Sequence, residues 1–121
     1  HLMEVRRREQ ADAFTTLDGS TIRVLIDASA GGAAQQSLAE ATVAAGASTQ
    51  RHHHARTEEI YVIVAGLGRM EVEGEEREIG PGDAVLIPAG ARHQIRAGAP
   101  GELRFLCCCA PPYSEEDTFP E

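Results

Sequence analysis

His52, His53 and His54 run consecutively, and His93 stands apart behind Pro88-Ala89-Gly90-Ala91-Arg92. On a β-strand, residues two apart share a face, so His52 and His54 can converge on one ion while His53 points away. Neutral imidazole is a good ligand for first-row divalent metals. Glu58 and Glu59 follow after a short turn and open the next strand. This spacing predicts a carboxylate across a hairpin from the two histidines. Two histidines and a carboxylate leave coordination positions open for substrate or dioxygen, and His93 can add a third imidazole from a distant strand. Only one of Glu58 and Glu59 can face inward. Glu59 shares its face with Tyr61 and Ile63, which the alternation places inside a barrel. The candidate ligands are therefore His52, His54, Glu59 and His93, around one divalent transition ion (Fe, Mn, Ni, Cu or Zn).

The elements that must position these residues read as short strands. Runs rich in Val, Ile and Thr at Thr21–Ile26, Leu38–Val43, Thr49–His54, Ile60–Val64, Arg69–Val72, Ala84–Ile87, His93–Arg96 and Leu103–Cys109 alternate with turn residues. Val72-Glu73-Gly74-Glu75 has the form of a hairpin turn. The spacing predicts an all-β barrel or sandwich. Glu4–Phe14 has the makings of a short helix, but its apolar positions are sparse. Ala28–Gln35 reads as a surface loop. Pro111-Pro112-Tyr113 ends the last of these strands, and the acidic tail Glu115–Glu121 is expected loose or packed across the surface.

Two stretches carry a family resemblance. Gly46-Ala-Ser-Thr-Gln-Arg-His52-His-His54-Ala-Arg-Thr-Glu-Glu59-Ile-Tyr-Val-Ile-Val-Ala-Gly66 resembles the first cupin motif, with every interval kept when Glu59 is the acid. Gly82-Asp-Ala-Val-Leu-Ile-Pro88-Ala-Gly90-Ala-Arg-His93 resembles the second, which usually closes with Asn where this chain has Ala97. The stretch Gly80-Pro-Gly-Asp83 also looks like a turn of that family. The resemblance implies a double-stranded β-helix, or jelly-roll barrel, over about residues 20–110 of a single domain spanning 1–121. It implies the same four metal ligands, and a homodimer paired through its sheets. It does not choose a reaction, because this fold hosts many chemistries.

Other residues have weaker claims. Tyr61 has inward parity and is the candidate catalytic residue, able to donate a hydrogen bond to a ligand. Ile63 and Ile95 are expected as apolar pocket wall. His53 is read as outward, and Gln36, Glu40 and Arg92 as surface groups. Cys107 and Cys109 share a face with Phe105 and are expected to be buried in the core. The three consecutive cysteines cannot readily bridge one another, which argues for free thiols and a reducing compartment.

The 121 residues can enclose one hydrophobic core. A net charge of −8, from 19 acidic and 11 basic residues, disfavours nucleic acid as a partner. Arg6-Arg7-Arg8, flanked by Glu4 and Glu9, reads as a solvated face. No apolar run approaches the ~20 residues that span a bilayer, and no signal-peptide pattern opens the chain, so no membrane partner is expected and a cytoplasmic location is the simpler expectation. His1 and Leu2, ahead of Met3, read as a vector remnant. The favoured function is a metal-dependent enzyme on a small organic substrate, of oxygenase (dioxygenase-like) type. The alternatives are a metal-dependent isomerase or lyase on a sugar or carboxylate, and a non-catalytic small-molecule binder.

Overall fold

The computed structural model describes residues 2–16 and 18–121; His1 of the expected remnant lies outside the described residues. The strands, in chain order, are β1 (Ala13–Thr15), β2 (Thr21–Ile26), β3 (Ser37–Val43), β4 (His52–His54), β5 (Glu58–Ala65), β6 (Gly68–Val72), β7 (Glu75–Ile79), β8 (Ala84–Ile87), β9 (His93–Ala97), β10 (Leu103–Ala110) and β11 (Thr118–Pro120). They form two antiparallel sheets. One has the order β1-β2-β3-β10-β5-β8, the other β11-β4-β9-β6-β7. This is the all-β architecture that the sequence predicts.

Alternation along the strands builds the interior. On β5, Glu59, Tyr61 and Ile63 are buried while Ile60, Val62 and Val64 face out. On β10, Leu103, Phe105, Cys107 and Cys109 turn inward. These meet Met70, Ile95 and Ala97 of the opposite sheet, so the core lies between the two sheets. Aliphatic side chains dominate it, with Tyr61 against Phe105 at 4.6 Å between ring centroids. The cysteines are all free.

Two tight backbone positions hold the strands in register. The Glu73-Gly74 turn has positive φ at both residues (48° and 88°) and joins β6 to β7 through the pair Val72↔Glu75. Its twist suits a two-residue hairpin. At Gly66, φ is +88° and a Cβ would stand 2.2 Å from the Glu102 carbonyl oxygen, so only glycine lets β5 pass the 102–103 backbone.

Several expectations need correction. The stretch Thr49–His54 is a strand only over His52–His54. Ahead of it, Ser48 makes only an isolated bridge to Arg96; the Thr49 N–H donates to the Ile95 carbonyl at 3.0 Å, but the Ile95 N–H goes to the Thr49 hydroxyl at 3.1 Å, so a side chain takes one of the ladder bonds there. The N-terminal segment contains a single 3-10 turn, Arg8–Gln10, and then β1, with no α-helix. β7 was not legible because four of its five residues are charged (Glu75, Glu76, Arg77 and Glu78) and exposed. Its pairing with β6 outweighs weak strand propensity, and charge on an edge strand discourages further pairing. Of the three arginines, Arg8 is not simply solvated. It forks onto the buried Glu40 on the outer side of β3, Nε lying 3.0 Å from both carboxylate oxygens.

The acidic tail is ordered. Residues Glu115–Asp117 form a 3-10 turn and β11 then pairs with β4 through Thr118↔His54 and Pro120↔His52. The buried Asp117 carboxylate accepts the backbone N–H groups of Arg56 and Thr57, all at 3.1 Å. Those two residues carry the chain from β4 to β5. Asp117→Ala would leave both donors without their charged acceptor, and a loss of about 3 kcal/mol is expected from urea denaturation. A loss below about 0.5 kcal/mol would show that the tail does not brace this crossing.

Candidate metal centre

His52 and His54 on β4 and His93 on β9 come from neighbouring strands of one sheet, with His52 directly opposite His93. All three are buried, and one ring nitrogen from each lies within 4.8 Å of the others. Glu59 is also buried, but it belongs to the other sheet. The expected hairpin between the histidines and the carboxylate is therefore absent, because β4 and β5 do not pair. The chain crosses between the sheets over residues 55–57, and the carboxylate faces the imidazoles across the interior. Alternation placed each side chain correctly; it carried no information on which sheet each strand joins.

Each imidazole is oriented through its Nδ1. His52 Nδ1 donates to the Gln50 carbonyl at 2.8 Å, and His93 Nδ1 to the Ala91 carbonyl at 2.9 Å. For His54 the acceptor is the Thr118 hydroxyl at 3.1 Å, whose own proton goes to the Ser114 carbonyl at 2.8 Å. With Nδ1 protonated in all three, the lone pair sits on Nε2, facing inward. Partners of this kind fix the tautomer of a metal-binding histidine. The turn that precedes His93 is tied to the same place, since Gly90 (φ +83°) donates its N–H to the His54 carbonyl at 2.6 Å.

Glu59 Oε1 lies 3.4 Å from His54 Nε2 and 3.5 Å from His93 Nε2. These contacts are long for hydrogen bonds, and Glu59 Oε1 and His93 Nε2 are buried polar atoms with no hydrogen-bond partner. Buried groups of this kind call for a partner. A divalent transition ion supplies one, and the donor types match its preferences. The three histidines can hold such an ion. Burial would raise the Glu59 carboxyl, but His54 and His93 outweigh it and hold the group at about 2. Burial would lower the His54 imidazole, but the adjacent Glu59 raises it above the ordinary 6.5. His52 is lowered, first by burial and then by His93.

A cavity of about 100 Å³ opens beside this group. Tyr61 lines it, buried, its ring edge-on to His93 at 6.1 Å. Ile63 and Ile95, expected as pocket wall, lie in the core instead, while Ile22, Val24, Ala41 and Phe105 line the cavity. Asp18 and Tyr113 also line it. Sequence reasoning passed over both, although the turn-forming Asp18-Gly19-Ser20 was a local signal. Thr118 and Asp117 carried no signal, since their roles depend on where the tail lands. His53 faces away, stacked on Phe119 and paired with Glu121. Gln36 and Arg92 are exposed, and Glu40 is engaged by Arg8 outside the barrel.

Residues 39–109 match the family model of the cupin domain. The uncharacterised protein MJ1618 of Methanocaldococcus jannaschii is 43% identical over 105 residues, covering 87% of this chain and 84% of that protein. The polyketide cyclase RemF of Streptomyces resistomycificus is similar with a TM-score of 0.79 and 29% identity, over 96% of this chain and 89% of that one. The nucleoside dehydratase Pac13 of Streptomyces superposes with a TM-score of 0.79 at 19% identity, over 98% of this chain and 91% of that one, a likeness of fold.

Thr118→Val removes the acceptor for His54 Nδ1 and is expected to weaken Zn(II) affinity about tenfold or more. Isothermal titration at fixed pH checks this. Unchanged affinity would mean that Thr118 does not orient the ring. In the unsubstituted protein, the proton on His54 competes with a metal ion. Since the His54 pKa is raised, affinity should fall as pH drops through the range above 6.5, whereas Glu59, at about 2, stays ionised there. Titrations at several pH values read this slope directly.

Proposed function

The chain belongs to the cupin domain family, and on that premise we propose that it is a metal-dependent enzyme acting on a small organic molecule by proton transfer. In this reading His52, His54, Glu59 and His93 hold one divalent transition ion, and Tyr61 carries the proton. The ion, when bound, supplies Lewis acidity toward a substrate oxygen. The observation that carries the proposal is the state of Tyr61. It is 3% exposed and lines the cavity beside the histidines, its ring edge-on to His93. Burial first, and then the charge of Glu59, push the phenol well above its ordinary value of 10. At neutral pH it therefore holds its proton and can donate a hydrogen bond to a substrate oxygen as charge develops there.

The surroundings support a compact substrate. An apolar cavity of roughly 150 Å³ accepts benzene, and this one is somewhat smaller at about 100 Å³. Ile22, Val24, Ala41 and Phe105 give it apolar walls. Asp18 gives it one fixed acceptor, its Oδ1 held by the Ser20 N–H at 2.9 Å and by the Ser20 and Thr16 hydroxyls at 2.5 Å. Such a site can orient a hydroxylated or carbonyl-bearing molecule with one end toward the histidines. The oxygenase-type reaction suggested by ligand type is the second reading; a phenol lining the cavity beside the histidines favours proton transfer. The naming of RemF as a polyketide cyclase points the same way.

The test uses protein loaded with Mn(II), Fe(II), Ni(II) or Zn(II) and a panel of small hydroxy- and keto-carboxylates in D2O. Deuterium incorporation or elimination followed by NMR, with no oxygen uptake at an electrode, is the expected result. Tyr61→Phe should lower kcat by about 10²–10⁴ with metal content unchanged. Oxygen consumed in step with turnover, or a Tyr61→Phe variant of full activity, would overturn proton transfer by this residue.

A further inference from the structure

The two oxygens of Glu59 have different surroundings, and a residue outside the histidine set accounts for the difference. Glu59 on β5 faces Cys109 on β10 across the ladder, and Cys109 faces Ser37 on β3. The three make one buried row across the six-stranded sheet. Cys109 Sγ donates to Glu59 Oε2 at 3.3 Å. The direction of this bond follows from the two groups, since a thiol S–H donates and a carboxylate oxygen accepts. Glu59 Oε1 is the oxygen left without a hydrogen bond, and it is the one beside His54 and His93.

We infer that Cys109 is a positioning residue for Glu59: its thiol holds Oε2 against β10 and presents Oε1 alone to the imidazole nitrogens. This rests on the proposed role of Glu59 as a ligand. Its consequence is a count of donors. Glu59 gives one oxygen, and with three imidazole nitrogens the chain gives four donor atoms. A six-coordinate ion then keeps two places for a substrate. Were Oε2 released, a carboxylate that chelates through both oxygens would take one of them.

Cys107 is a control built into the same strand. It is buried, faces the same way and lines the same cavity, yet it stands opposite Tyr61 and makes no hydrogen bond to Glu59. Filling space is common to both cysteines; the bond to the carboxylate belongs to Cys109.

The experiment measures Co(II) affinity of the full chain by chelator competition, together with the visible d–d spectrum, which reports the ligand field and not activity. Cys109→Ala is expected to weaken binding about tenfold or more and to shift the spectrum. Cys109→Ser, which restores a donor, should recover most of the affinity, and Cys107→Ala should match the unsubstituted protein. In a Glu59→Gln background, Cys109→Ala should cost nothing further. If Cys109→Ala does not fold, Cys109→Val fills the volume without a donor and takes its place. Glu59→Gln weakening binding while Cys109→Ala leaves affinity and spectrum unchanged would overturn the inference and leave Glu59 as a ligand. Glu59→Gln with full affinity would overturn the role of Glu59 and this inference with it.

Discussion

A carboxylate taken out of water must be compensated by charge or by hydrogen bonds, or it will not stay ionised. Glu59 is 4% exposed, deep between two sheets. Its compensation comes from opposite directions: a thiol on its own sheet and imidazoles on the other. The rest of the centre follows from that need. The two sheets must meet with β4 and β9 facing β5, and the histidines must turn their Nε2 atoms toward the gap. Glu59 Oε1 and His93 Nε2 are still unpartnered, beside three histidines that could hold a metal ion.

The positioning apparatus is mostly backbone. Gln50 and Ala91 offer carbonyls to His52 and His93, and Ser114 fixes the Thr118 hydroxyl that serves His54. Carbonyl acceptors two residues before each of two ligands depend on how the chain enters β4 and β9, so local conformation sets ring orientation. The third ring is set by a segment more than sixty residues away. The same tail, through Asp117, holds the crossing between the sheets. The orientation of the His54 ring and the docking of the C-terminal strand are thereby coupled.

The chemistry available in the cavity comes from contrast. Its lining combines polar groups such as Asp18, His52, His54 and Glu59 with aliphatic and aromatic walls. In such surroundings a phenol keeps its proton and a carboxylate beside imidazoles loses its own. Such divergent surroundings for neighbouring titratable groups are a feature of functional sites.

Much of this was legible in the sequence because it depends on period and spacing. Strand alternation placed His52, His54, Glu59 and Tyr61 inward and His53 outward, as the structure has them. The glycine-framed intervals identified the fold, since Gly66 and Gly90 stand where the backbone turns or passes closely. The spacing could not assign β4 and β5 to different sheets, because an alternating pattern is the same whichever strand it pairs with. Nor could it foresee β7, whose charged residues have little strand preference of their own. The contacts of Cys109, Asp117 and Thr118 join residues far apart in the chain, and no local pattern encodes them. Residue types and their order determined which side chains could bind a metal; the packing of two sheets and the return of the tail decided how each is aimed, because hydrogen bonds between distant residues exist only once the chain has closed on itself.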